Sequence, residues 1–183
     1  MPNDNGGLRS AIDAPDGFDR HAHRKMVAEV ARIYPHTIEY RSLEEEGTCA
    51  TFALGLTKSA VHRFVASGYR RKIFAGRAFM QWLLKDHLRE IARPVRGCLA
   101  LYFSGEEWQH VGVVSAPGRI VSQWGTFPVY DHPILEVPAR YGSDLRYFEM
   151  PTTADALRLF LEYAKTWGLS DEEIDWIVRD ASI

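Results

Sequence analysis

Between residues 97 and 124 the chain runs through three strand-like apolar segments in succession, at 97–103, 109–114 and 119–124, with no helical stretch between them. Strands joined without a crossover helix pair antiparallel, so this block commits the chain to a meander and excludes a doubly wound parallel sheet. The link between the last two segments is Ser115-Ala116-Pro117-Gly118, a cluster of turn formers that closes a hairpin. Pairing about the centre of that turn sets His110 opposite Gln123 on one face. A slip of one residue replaces Gln123 by Ser122 or Trp124 and turns the face over.

The flanks read as helices. Met26, Val27, Val30 and Ala31 form an amphipathic stripe that ends before Pro35, and Thr48 is placed to cap a short helix beginning at Cys49 and weakened at Gly55. A further short helix spans 59–66. The clearest long one is expected over 76–92, where Phe79, Leu83, Leu84, Leu88 and Ile91 recur at helical intervals before Pro94. Residues 38–43 fit either strand or loop, and 131–141, with Pro133 and Pro138, read as a loop or edge segment. A closing strand at 144–150 precedes two helices, one capped at Thr152 or Thr153 and one opened by the Ser170…Glu173 capping box. The expected class is α+β: N-terminal helices packed on a small antiparallel sheet, followed by C-terminal helices. Residues 1–18, polar and glycine-rich, are expected to be a flexible tail, leaving 19–183 as one domain.

Twenty-two basic residues against 24 acidic ones give a net charge of −2, which offers neither nucleic acid nor an anionic membrane an obvious partner surface. The one dense basic cluster, Tyr69-Arg70-Arg71-Lys72, reads as a solvated turn. No apolar run is long enough to span a bilayer. Two cysteines in unlike contexts argue against a disulfide framework, so a reducing, cytoplasmic setting is expected.

The chemistry centres on Cys49 and His110. A thiol becomes a nucleophile as thiolate, which needs amide donors and a neighbouring imidazolium to exist near neutral pH. In this reading Cys49 attacks, His110 takes the thiol proton and returns it to the leaving group, and Gln123 orients the ring; Ser122 and His132 are the alternatives for that third place. The Cys49 amide, with Tyr40 as a second donor, would hold an oxyanion. Cys98 reads as core, Asp131-His132 as a surface turn, and Trp124 as a cleft wall beside Gln123. His36, His62 and His87 read as solvated or capping. His21 and His23 lack the partners of a metal site, and neither metal nor cofactor is expected.

The helix-borne Cys49, the strand His110-Val111-Gly112-Val113 and the following polar position at Gln123 together resemble the NlpC-type branch of the papain-like cysteine hydrolases. The segments Ser122-Gln123-Trp124-Gly125, Asp131-His132 and Tyr141-Gly142 are similar to elements of an uncharacterised single-domain group in that branch. The resemblance implies a papain-like fold and cleavage of an amide bond in a peptide or small molecule. Thr48-Cys49-Ala50-Thr51 stands where wall-cleaving members carry Asp-Cys-Ser-Gly, which sets the chain apart from them. The alternative is a catalytically silent papain-fold module that binds a protein or peptide in the old cleft; a third reading is a helix-rich interaction partner in a toxin or defence system, with the acidic loop Glu44-Glu45-Glu46 as a docking feature.

Overall fold

A computed structural model describes residues 5–14, 19–43, 47–68 and 73–181. In chain order these form α1 (Asn5–Ala11), α2 (Arg20–Val30), β1 (Glu39–Ser42), α3 (Cys49–Ala53), α4 (Ala60–Ala66), α5 (Arg77–Asp86), β2 (Glu90–Ile91), β3 (Leu99–Ser104), β4 (Glu107–Ala116), β5 (Arg119–Gln123), β6 (Val129–Pro133), β7 (Asp144–Phe148), α6 (Thr153–Thr166) and α7 (Asp171–Asp180). A short 3-10 turn, Ala139–Tyr141, precedes β7. The architecture is α+β, with a seven-stranded open sheet of order β1-β6-β5-β4-β3-β7-β2 and antiparallel pairing throughout. Among the described residues no helix is long and apolar enough to cross a membrane.

Strand side chains alternate between the two faces, and here both faces are covered. Along β3, Leu99, Leu101 and Phe103 enter a core built with Ala50, Phe79, Leu83, Phe160 and Ile177, whereas Ala100 and Tyr102 enter a second core with Leu8, Ile12, Val27 and Trp124. The sheet is thus a middle layer. α3 to α7 lie on one side, α1 and α2 on the other.

The capping signals at Thr48, Thr152 and Ser170 are realised as expected, and Ser59, expected inside its helix, caps it instead; each accepts from a backbone amide three residues on. Elements that depend on distant partners differ more. Residues 5–14 are not a tail, because Leu8 and Ile12 recur at one helical turn and are buried at 3% and 0% exposure. The helix expected over 76–92 ends at Asp86, and Ile91 instead pairs with Tyr147 in an edge ladder. Residues 39–42 and 129–133 are strands that pair with each other, so Asp131-His132 is no surface turn.

The hairpin register also differs. β4 and β5 pair Val113 with Val121 and Val114 with Ile120, but Ala116 with Arg119, so a bulge at Ser115 adds one residue to β4. This is the one-residue slip, and it brings Val111 rather than His110 level with Gln123. A second irregularity in β4 pairs Tyr102 with His110 but Phe103 with Trp108, leaving Gln109 as the extra residue.

Truncating Ile12 to Ala should lower stability by about 2–4 kcal/mol in urea denaturation, the cost of a large-to-small change in a packed core. A tail would show no change.

Candidate active site

Cys49 opens α3 under a cap tied at both ends. Thr48 accepts from the Thr51 amide at 3.3 Å, Thr51 Oγ1 accepts from the Thr48 amide at 2.7 Å, and Thr48 Oγ1 donates to the Ala75 carbonyl at 3.2 Å. The thiol, 9% exposed, faces the backbone N–H groups of Val111, Ala50 and Cys49 itself. Burial opposes these three donors and outweighs them, pushing the thiol up to about 11. At neutral pH Cys49 is a protonated thiol.

His110 lies one residue along β4 from the amide that Cys49 touches, but its side chain takes the other face. Its ring stacks on Tyr141 with centroids 4.0 Å apart and planes within 6°, and stands 5.7 Å from the ring of Tyr102. Neither ring nitrogen has a hydrogen-bond partner, so no bond joins it to Cys49. Burial first, then the fields of His132 and Arg140, hold its pKa well below the ordinary imidazole range. The resting pair is therefore neutral thiol and neutral imidazole, in place of the expected thiolate and imidazolium.

Gln123 falls on the Cys49 side. It is fully buried, and both its amide oxygen and its amide nitrogen are without partners. The other two residues considered for the third place, Ser122 and His132, lie on the His110 side. The His132 Nδ1–H donates to the Pro133 carbonyl at 2.9 Å, so in the neutral ring Nε2 accepts from the Ser122 hydroxyl at 2.9 Å, and Trp124 Nε1 donates to that hydroxyl at 3.1 Å. Trp124 is wholly buried in this chain of bonds and walls no cleft. β4 and β5 thus bring the selected residues to one place in the sheet while dividing them between its faces.

Tyr141 connects the two sides. Burial followed by the field of Cys49 raises the pKa of its buried hydroxyl, against a hydrogen bond from Arg140 that lowers it, so the phenol that stacks on His110 also senses the thiol. The following residue, Gly142, has φ +83°, and a Cβ there would lie 2.0 Å from the Phe103 carbonyl oxygen, so only glycine lets this turn approach β3. The N-terminal segment holds the turn from outside. Arg9 donates to the carbonyls of Val137 (3.0 Å) and Gly142, while the Arg140 amide donates to Asp13 (3.0 Å) and its guanidinium pairs with the same carboxylate (3.2 Å). The sequence signalled this element only through Tyr141-Gly142; the contribution of α1 carried no local signal.

Other residues take plainer positions. Cys98 is buried as expected and both cysteines are free. Tyr40 is on edge strand β1 with Arg24 over its ring at 4.1 Å, engaged away from the thiol's amides. His36 bonds the Val27 carbonyl and His87 stacks on Trp82, but His62 is buried rather than solvated. The basic cluster at 70–72 and the acidic loop at 44–46 lie outside the described residues. Comparison with family models, with curated proteins and with solved structures finds no match for this chain.

Two pH dependences follow. The raised thiol pKa keeps the reactive thiolate scarce at pH 7, so iodoacetamide should label Cys49 slowly there and faster only as pH climbs towards 11, read by site-resolved mass spectrometry. His132, lowered from 6.5 to about 4 chiefly by burial, binds its proton more weakly folded than unfolded. Its contribution is present above pH 6.5 and lost as pH falls towards 4, on the order of 3 kcal/mol in denaturant titrations at the two ends. His132→Gln should flatten that slope.

Proposed function

We propose that the protein is a papain-like thiol hydrolase that cleaves an amide bond through an acyl-enzyme on Cys49. The observation that carries this reading is the pair of partnerless polar atoms of buried Gln123, on the same side of the sheet as a thiol that three backbone amides already face, with the two partnerless ring nitrogens of His110 one residue along β4 on the other side. Each unsatisfied buried group costs about 1–3 kcal/mol, so a scaffold with no ligand to meet would gain by replacing them with apolar side chains. Such groups are worth keeping where a substrate completes their bonding.

In the proposed cycle Sγ attacks the amide carbonyl carbon, the thiol proton passes to His110, and the amides beside Cys49 receive the developing oxyanion. His110 then protonates the departing amine. Water, deprotonated by the same ring, attacks the thioester and releases the acid, and the thiol regains its proton. To engage Cys49, His110 must leave both its stack on Tyr141 and the face of β4 that it occupies, so in this proposal the neutral pair is the resting state of a site that substrate rearranges. A free thiol of this kind suits a reducing, cytoplasmic setting, and the substrate is a peptide or small amide rather than nucleic acid or membrane.

The buried, high-pKa thiol and the missing bond to His110 favour a second reading, a silent papain-fold module that binds a protein or peptide partner. Incubation with a thioester acyl donor separates the two. The hydrolase should accumulate an acyl adduct on Cys49, absent on Cys98, and His110→Ala should slow its formation about 100-fold. Acylation indifferent to His110, or equal at both cysteines, would favour the binding module.

A further inference from the structure

Beside Cys49, on the α3 side of the sheet, a groove of about 360 Å³ is lined by Gly47, Thr48, Thr51, Thr57, His62 and Arg63, with Phe74 as a half-exposed aromatic wall. Thr48 and Thr51 are the residues that cap Cys49, so the groove begins where the thiol's helix begins. Its far side is polar in a specific way. His62 Nε2 accepts the Ala75 amide at 3.3 Å, and a nitrogen that accepts from an N–H carries no proton of its own. The proton of the neutral ring is therefore on Nδ1. That N–H is buried, on a side chain 6% exposed, and has no partner. The buried hydroxyl of Thr57 has none either.

Gly47 joins this wall to the candidate triad. A Cβ at this position would lie 2.7 Å from Thr51 Oγ1 and 3.5 Å from both Thr57 Cγ2 and Gln123 Oε1, at a φ of +133° that favours glycine. The bare backbone there keeps a narrow approach between the groove and the unpartnered carboxamide of Gln123. An imidazole N–H, a hydroxyl and the guanidinium of Arg63 form a set of donors with one positive charge, and that set is complementary to a small anionic acceptor. The volume, at the lower end of the range for small-molecule sites, suits a small ligand.

We propose that the groove is the specificity subsite and binds a carboxylate carried by the amide substrate, with His62 Nδ1–H and the Thr57 hydroxyl donating to it and Arg63 supplying the charge. This substrate class rests on the hydrolase reading, but binding can be measured without chemistry. The probes are succinamate, a small amide with one carboxylate, and succinamide, its uncharged counterpart, added to protein carrying ¹⁵N-labelled histidine.

Succinamate should shift the His62 Nδ1 resonance while succinamide leaves it in place, and Arg63→Ala should weaken the response about tenfold, with Arg63→Lys restoring most of it. Thr57→Val, which keeps shape and removes the hydroxyl, should weaken it as well. The same titration in Cys49→Ala should be unchanged. Equal responses to the two probes, or a succinamate response that ignores Arg63 and Thr57, would overturn the subsite. Cys49-dependent ammonia release from succinamate is read separately: its absence with carboxylate-selective binding intact would count against the hydrolase reading and leave the subsite standing.

Discussion

Everything in this fold hangs on the burial of β4 from both faces. A strand wedged between two cores cannot present a polar side and an apolar side, so each residue along it is assigned to one core or the other by parity alone. Val111 joins the core beneath α3 and α5, and His110, its neighbour, joins the aromatic cluster with Tyr102 and Tyr141. The bulges at Gln109 and Ser115 reset that parity at either end of the strand. Without them, side chains on the two sides of each bulge would exchange faces, and Trp108 would be driven out of the core that receives it.

The same burial sets the electrostatics of the centre. Three amides facing a thiol would by themselves favour the anion, yet removal from water outweighs them, and the imidazole next along the strand is kept neutral by the same cause with help from His132 and Arg140. Neutrality is the cheaper solution when two ionisable groups lie in one dry layer without touching. Polar satisfaction is then incomplete. His132 and Ser122 complete their bonding through Trp124 and the Pro133 carbonyl, whereas His110 and Gln123 do not.

What was legible in the chain follows the range of the forces involved. Caps are local: Thr48, Ser59, Thr152 and Ser170 satisfy amides three residues away, and each could be read from its neighbours. The meander was legible because hairpin strands are adjacent in sequence. Its register was not, because an added residue at Ser115 leaves no mark in a strand whose two faces both meet a core. Residues 5–14 misled for the opposite reason. Their composition is that of a solvated segment, and only packing with residues distant in sequence, Ala100, Tyr102 and Trp124 among them, makes Leu8 and Ile12 core residues. Cys49, His110 and Gln123 were recognisable as chemical groups, but their division between two faces belongs to tertiary structure.

The clasp between α1 and the turn that holds Tyr141 also orders events in time. Its bonds join residues separated by 127 to 133 positions, among the longest closures in the chain, so α1 cannot complete this clasp until Gly142 has been made. Until then α1 cannot add its cover to the His110 side of the sheet, on which α2 also packs. The stack of Tyr141 on His110 is thus a late product of folding, completed when the two distant stretches of chain meet.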